Sequence, residues 1–252
     1  MRARSLLSAL AVLLLLWALA ARLVNLPLLP DPWTVALTLV SETFYGGLPL
    51  HFLASLWRVT DGTLLSILLA APAGLALGQY RRVNQFFSPL IYILYPIPKV
   101  VFVPIVFLFL GIGDLAKIVI IFLILFFQVL VLVRDQAASL RPELIQSVRS
   151  LGAGRRALFW FVYIPASLPG VFTALRQSIG TAVAVLYITE LFATQQGLGY
   201  YIYLNGSTLM NYPAMYAGVV AMSLLGLGLY FSVDLLERWL TPWAAQQHVS
   251  DL

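Results

Sequence analysis

The chain has 252 residues, of which 61% are hydrophobic and only 10% are charged, and its mean hydropathy is +0.93. Ordinary soluble domains carry about 25% charged residues, so this composition excludes a water-soluble fold and favours an integral membrane protein. The formal net charge is +5, but the 15 basic residues are scattered between apolar stretches, which indicates membrane topology and no nucleic-acid partner.

The N-terminal segment has a basic start followed by an apolar stretch from Leu6 to Leu19. This pattern, with small residues around Leu19, also fits a cleaved export signal. The apolar stretch reaches about 20 residues if the side chain of Arg22 extends to the membrane surface, which is enough to span the hydrocarbon core. We therefore predict an extra N-terminal span over residues 1–24.

Residues 25–56 contain several prolines and then a weaker amphipathic segment, which predicts an external connection along the membrane surface. Five further apolar stretches follow, each with too few charges for a soluble helix. They cover residues 62–79, 86–110, 115–133, 168–192 and 214–236. The sequence thus predicts an all-α integral membrane fold of six transmembrane helices in a single domain over residues 1–252, with a five-helix core over residues 57–240.

The basic residues are distributed unevenly between the two predicted sides of the membrane. With the N-terminus in the cytoplasm, ten arginines lie inside and three basic residues outside, as the positive-inside rule requires. The inside set is Arg2, Arg4, Arg81, Arg82, Arg134, Arg141, Arg149, Arg155, Arg156 and Arg238, and the outside set is Arg22, Arg58 and Lys117.

The predicted cytoplasmic connection over residues 141–167 is too polar to span the membrane, yet it has a helical pattern. Pro142 suits a first helical turn, Glu143 lies favourably near the positive end of the helix dipole, and Gly152 ends the helix. Since most connections need only about four to six residues, this one indicates a docking element, with a plain structural connection as the alternative. One face of the helix is apolar and consists of Leu144, Val148 and Leu151.

The segment from Gln146 to Gly152, followed by Val162-Tyr163-Ile164-Pro165, resembles the EAA loop of ABC importer permeases. The spacing from Gly152 to the final proline is that of the family. Gln146, Ser147 and Val148 replace the Glu-Ala-Ala of the family, and Glu143, one turn earlier, is the candidate substitute for its glutamate. The resemblance covers nearly the whole chain and is closest to permeases for nitrate, taurine and alkanesulfonates. Other matching stretches are Leu53–Val59, Pro72–Arg82, Pro96–Asp114 and Glu190–Ile202.

The resemblance implies a type I ABC importer permease fold in the bacterial inner membrane. It also implies a homodimer, with a heterodimer as alternative, two ATPases that bind ATP and Mg, and a periplasmic or lipid-anchored solute-binding protein that meets the external segment 193–212. The cargo is then a small polar or anionic nutrient, and the EAA helix couples ATPase closure to movement of the permeases. The implied coupling residues are Glu143, Gln146, Ser147, Val148, Arg149, Leu151, Gly152, Ala153, Arg155, Arg156 and Pro165.

Motifs for covalent chemistry are missing from the sequence. A phosphate-binding loop needs Gly-x4-Gly-Lys-Ser/Thr, but Lys99 and Lys117, the only lysines, precede Val100 and Ile118, so we expect no ATPase site of the chain's own. The sequence has no cysteine, no His-Glu-x-x-His and no carboxylate cluster at ligand spacing, so we expect no catalytic residue, metal or cofactor.

Two other functions are weighed against the permease. Gly111 to Asp114 matches the Gly-x-Gly-Asp signature of intramembrane aspartyl proteases, but such chemistry needs two carboxylates, and none lies between Gly62 and Gly113. We interpret Asp114 as the cap of the next helix. The second alternative is a channel or secondary transporter that works without ATP, against which the EAA-like loop argues.

Ionisable residues inside spans are functional candidates by default. Lys99 and Glu190 are predicted to line the translocation pathway, with Gln128 and Tyr187 as weaker candidates. The alternative is that Lys99 pairs with Glu190 or a carbonyl and only fixes helix packing. Arg176 is predicted to anchor the fifth helix. Two glycine pairs predict close contacts between helices, Gly74 with Gly78 and Gly226 with Gly228.

Overall fold

A computed structural model describes residues 3–192 and 194–243, and every regular element in that part of the chain is helical. The α-helices are α1 (Ala3–Val24), α2 (Pro32–Phe44), α3 (Leu48–Gln79), α4 (Arg81–Leu94), α5 (Val103–Leu110), α6 (Asp114–Ala138), α7 (Pro142–Ser150), α8 (Arg155–Leu158), α9 (Ile164–Leu191), α10 (Leu198–Tyr203) and α11 (Tyr212–Leu240). A 3-10 turn covers Lys99–Phe102, and π-helical turns cover Phe159–Tyr163 and Leu204–Thr208.

Five helical segments of the described chain are long and apolar enough to cross a membrane. They are α1, α3, α6, the segment containing α8 and α9, and α11. The helix α4 and the segment Lys99–Leu110 are bent by 74° at a short break, and together they provide a sixth candidate span. This confirms the predicted all-helical membrane fold with six spans.

Capping explains how the chain re-enters a helix after its proline-rich turn. The carboxylate of Asp31 accepts hydrogen bonds from the backbone N–H groups of Trp33 and Thr34 at 2.9 and 3.0 Å, and from the Thr34 hydroxyl at 2.8 Å. These bonds hold the pKa of Asp31 below its usual value. A proline in the first turn of α2 completes a favourable helix start.

The described residues divide into two compact units. One contains the residues up to 56 and those from 190 to 225, and the other contains residues 57–189 and those from 226 onwards. The second unit has an apolar core built from α3, α4, α6 and α9, with Ala70, Leu75, Val133 and Phe172 among its buried members.

Glycines allow α3 to lie directly against α6 within the second unit. A Cβ atom at Gly74 would lie 2.8 Å from the Leu130 carbonyl oxygen, and one at Gly78 would lie 2.6 Å from that of Arg134. The predicted close contact at this pair is therefore confirmed. Gly226 is different, because its Cβ would make an ordinary contact of 3.4 Å with Val183, and nothing lies within 4 Å of Gly228.

An ion-pair network joins α9 to α11 in the same unit. The guanidinium of Arg176 contacts the carboxylate of Glu237 and lies 3.6 Å from that of Asp234, which also pairs with Arg238 at 2.9 Å. The side chains of Arg176 and Glu237 are only 22% and 17% exposed. This arrangement agrees with the predicted anchoring role of Arg176.

Replacing Arg176 with leucine is expected to lower the thermal unfolding midpoint of the detergent-purified chain. The change leaves the mostly buried carboxylate of Glu237 without its cation, which costs about 2 kcal/mol. Adding Glu237→Leu removes the unpaired charge and is expected to restore most of the loss. A double variant no more stable than Arg176→Leu alone would contradict this explanation.

Candidate functional site

The helix α7 and the bend after it form the first candidate site. Glu143 lies in the first turn and Arg149 in the last, where each charge is favourable against the helix dipole. The N–H of Gly152 donates to the carbonyl oxygen of Arg149 at 3.0 Å. Gly152 has a φ of +86°, a left-handed conformation that favours glycine. The predicted helix and its glycine end are therefore confirmed.

The apolar face of α7 is left uncovered by the described chain. Leu144 is 44% exposed, Leu151 is 85% exposed, and Val148 is half-buried between them. Their spacing of four and three residues places these side chains on one face of the helix. An exposed apolar stripe on a helix that also carries exposed charges is typical of a surface that another protein covers.

The other predicted coupling residues follow the same segment. Gln146, Ser147 and Arg156 are exposed, while Ala153 and Pro165 are half-buried. Arg155 begins α8, but its side chain lies outside the described residues. In the described part of the chain, the exposed Glu143 forms no ion pair, so its carboxylate is accessible to a partner. The role of these residues in coupling stays a prediction.

The side chain of Lys99 lies at the break between α4 and the 3-10 turn. Its amine donates to the carbonyl oxygens of Leu94, Tyr95 and Ile97 at 3.0, 2.8 and 3.2 Å. The amine also lies 4.7 Å from the ring centroid of Phe127 on α6. A cation at the last carbonyls of a helix is favourable against the helix dipole. Lys99 thus stabilises the bend of the span through carbonyls, which is one of the alternatives that the sequence left open.

The remaining pathway candidates occupy buried or half-buried positions. Gln128 on α6 and Tyr187 on α9 are half-buried, whereas Glu190 near the end of α9 is 0% exposed. Lys99, Gln128 and Tyr187 belong to one unit, and Glu190 belongs to the other. Their contact with a transported solute stays a prediction.

The buried carboxyl group of Glu190 organises the chain after α9. The Ser55 hydroxyl on α3 donates to its two oxygens at 2.9 and 2.8 Å, and the N–H of Gly199 donates to Oε2 at 2.9 Å. The N–H of Leu198 donates to the Ser55 oxygen at 2.7 Å. The N–H of Gly197 donates to Nδ1 of His51 at 3.1 Å. These bonds fix the start of α10 on the first turns of α3.

Gly197 is required where it lies. Its φ is +123°, and a Cβ atom there would lie 2.4 Å from the Glu190 carboxyl group. Only glycine combines this backbone conformation with such a close approach to a side chain.

Sequence reasoning missed Ser55, His51 and Gly197 as members of this arrangement. The signal that was available is an acidic residue inside a span, Glu190, followed by a Gly-x-Gly sequence seven residues later. An intramembrane acid needs hydrogen-bond donors, and glycine-rich backbone supplies exposed N–H groups.

The structure changes the interpretation of Asp114 and Arg58. The predicted capping role of Asp114 is wrong, because the N-cap of α6 is Gly113 and Asp114 lies in the first turn. Its Oδ1 atom lies 2.7 Å from both Nε and Nη2 of Arg58, a residue that is only 3% exposed inside α3. The Asp114 carboxylate thus pairs with a guanidinium, whereas an aspartyl protease requires it to share a proton with a second carboxylate.

Comparisons with known proteins agree with this architecture. The family model of the binding-protein-dependent transport system inner membrane component matches residues 62–246. The taurine transport system permease protein TauC of Escherichia coli K12 is 31% identical over 241 residues, covering 93% of this chain and 87% of that protein. The formylaminopyrimidine transport permease protein ThiX of Halalkalibacterium halodurans is 28% identical over 239 residues, covering 94% of each. The putative aliphatic sulfonates transport permease protein SsuC of Bacillus subtilis is 28% identical, covering 92% of this chain and 85% of that protein.

A solved structure has the same fold. The chain matches one from an inward-facing MetNI methionine ABC transporter with a TM-score of 0.66 and 21% identity, covering 75% of this chain and 93% of that one. The fold is thus that of a type I ABC importer permease. The family match over residues 62–246 and the identity to TauC establish that this multi-pass membrane protein belongs to the binding-protein-dependent transport system inner membrane components, the permeases of ABC importers.

Proposed function

We propose that this chain forms the translocation path of an importer whose energy comes from a separate ATPase acting on α7. The observation that carries this proposal is the uncovered apolar stripe of Leu144, Val148 and Leu151, which ends at the left-handed Gly152. A docked ATPase would bury the leucine side chains, each of which contributes about 1.5–3 kcal/mol when fully buried. Glu143 and Gln146 would supply polar contacts at the edge of the same surface.

The proposed assembly is supported by the family and by the orientation that the sequence predicts for the permease. Two copies of the chain would enclose the path, two ATPases would bind ATP and Mg on the cytoplasmic side, and a solute-binding protein would deliver the cargo outside. If the N-terminus is cytoplasmic, as the positive-inside rule predicts, α7 would lie on the ATPase side of the membrane. The permease itself would carry no ATPase site.

The proposed cargo is a small polar or anionic nutrient. Two of the related permeases are named for taurine and for aliphatic sulfonates, compounds that carry a sulfonate group. We place four residues along the translocation path: Lys99, Gln128, Tyr187 and Glu190. Lys99 would shape the path by binding the carbonyl groups at the end of α4, and Glu190 by accepting a hydrogen bond from the N–H of Gly199 at the start of α10.

Gly152→Asp is expected to abolish or strongly reduce recovery of the ATPase with the tagged chain from mild detergent. An L residue in the left-handed conformation costs about 1–2 kcal/mol, so the bend and the leucine after α7 are displaced from the docking surface. The matched control is Gly154→Asp, which adds the same charge two residues later, at a glycine without a positive φ and with nothing within 4 Å. Mass spectrometry of the co-purified proteins measures both variants against wild type.

Retention of the ATPase by Gly152→Asp would refute docking through the bend. Equal loss from both variants would refute the requirement for the left-handed conformation of Gly152, because the added charge alone would then account for the loss. Recovery of folded wild-type chain without any ATPase would refute the importer assembly and favour an ATP-independent channel. The protease alternative is tested separately by Asp114→Ala. We expect Gly152→Asp to impair ATP-dependent transport more than Asp114→Ala does. Because Asp114→Ala also removes the carboxylate that pairs with the buried guanidinium of Arg58, the reverse order would support the protease only for an Asp114→Ala chain that unfolds at the wild-type temperature.

A further inference from the structure

Three arginines from two separate parts of the chain line one cavity of about 490 Å³ in the second unit. Arg81 and Arg82 are the first residues of α4, and Arg149 is in the last turn of α7. The other polar residues that line it are Gln79, Tyr80 and Tyr163. Two elements that are distant in sequence therefore bring their cations to the same cavity.

The charge of this cavity is not balanced by the described chain. Its lining residues include no carboxylate, and none of the three arginines forms an ion pair in the part of the chain that the structure describes. Guanidinium groups are planar donors that bind phosphate oxygens in pairs, and tyrosine hydroxyls donate to the same oxygens. All three arginines are exposed in the chain, so an anion with several oxygen acceptors can reach them.

An apolar stripe leads away from the cavity along α4. It begins at Val83, which itself lines the cavity, and continues at spacings of three and four residues on one face of the helix. Every member is exposed in the chain: Val83 38%, Phe86 77%, Leu90 51% and Ile93 64%. A cationic cavity at the head of an exposed apolar stripe has the two parts that an anionic lipid needs, one for the headgroup and one for the acyl chain.

We propose that the cavity of Arg81, Arg82 and Arg149 binds the phosphate group of an anionic phospholipid of the cytoplasmic leaflet, with an acyl chain along the stripe from Val83 to Ile93. Lipid binding there connects the start of α4 to the end of α7. The charge complementarity and the apolar stripe favour a lipid over a free phosphate ion, which would not use the stripe.

The test is native mass spectrometry of the delipidated full-length chain titrated with phosphatidylglycerol. In the double variant Arg82→Gln/Arg149→Gln the dissociation constant is expected to rise about tenfold or more, because charged hydrogen bonds to the phosphate are lost. The charge-matched control Arg141→Gln/Arg156→Gln removes two exposed arginines that do not line the cavity. This control is expected to change the dissociation constant less than about twofold. Zwitterionic phosphatidylcholine is expected to bind more weakly than phosphatidylglycerol.

Equal losses in the two double variants would overturn the proposal, since general surface charge would then account for binding. Displacement of the lipid by millimolar inorganic phosphate would assign the cavity to the free ion. If Arg82→Gln/Arg149→Gln leaves lipid binding unchanged but loses a co-purified ATPase, the proposal is wrong and the cavity is a contact with the ATPase subunit. If the cavity variant does not fold, photocrosslinkable phosphatidylglycerol in nanodiscs with wild-type chain decides the question: label at Val83 or Tyr163 supports the proposal, and label elsewhere only overturns it.

Discussion

Replacing Gly197 with alanine is expected to release the segment after α9 from α3 and to destabilise the chain by more than about 3 kcal/mol. The added Cβ atom would lie 2.4 Å from the Glu190 carboxyl group, at a backbone φ of +123°. Glu190 cannot move aside cheaply, because it is fully buried and accepts hydrogen bonds from Ser55 and Gly199. The estimate combines about 1–2 kcal/mol of backbone strain with about 1–3 kcal/mol for each buried polar group that loses its partner.

The thermal unfolding midpoint and the protease sensitivity of residues 194–212 measure this effect in detergent-purified chain. Gly113→Ala is the matched control, because Gly113 has a φ of −86° and nothing lies within 4 Å of it. The control is expected to stay within about 1 kcal/mol of wild type. A Gly197→Ala chain with wild-type protease resistance would show that the bonds around Glu190 do not hold this segment in place.

Local sequence signals were sufficient to predict the membrane spans and the helix α7. Long apolar stretches had to be helices that cross the bilayer, because an unpaired backbone group is too costly in lipid. The start of α7 and the bend after it could be predicted from Pro142, Glu143 and Gly152, because the conformational preferences of these residues act within one helical turn. The start of α3 could not be predicted from the sequence, because the charge of Arg58 suggested that this residue lies at the membrane surface. The residue that pairs with it, Asp114, lies 56 residues further along the chain.

The arrangement around Glu190 could not be read from local patterns. Ser55 contacts Glu190 across 135 residues and Leu198 across 143 residues. Hydropathy marks such a carboxyl group as unusual but does not identify its donors. Lys99 illustrates the same limit, because the sequence left open whether its amine contacts a solute, Glu190 or a carbonyl group. Hydropathy could not identify the carbonyl oxygens of Leu94 and Tyr95 at the end of α4 as its partners.

Replacing Gly78 with leucine is expected to prevent α3 from packing on α6. A Cβ atom at this position would lie 2.6 Å from the Arg134 carbonyl oxygen and 2.6 Å from Cβ of Ala137. Neither atom belongs to a flexible side-chain end, so the two helices must separate. Overpacking in a core typically costs about 1–3 kcal/mol, and separation of α3 from α6 also opens the apolar core, so we expect more than about 3 kcal/mol. The yield of monodisperse chain after size-exclusion chromatography and its unfolding midpoint measure this loss.

Gly228→Leu is the control that separates two effects of Gly78→Leu: the steric clash between α3 and α6, and the loss of a glycine from a membrane helix. Gly228 lies inside α11 with nothing within 4 Å, so Gly228→Leu adds volume where the chain leaves space. Helix propensity favours leucine over glycine by roughly 1 kcal/mol, and the control is therefore expected to unfold at or above the wild-type temperature. If Gly78→Leu behaved like Gly228→Leu, the close contact of α3 with α6 would not be needed for folding. A loss at both positions would instead mean that another copy of the chain covers Gly228.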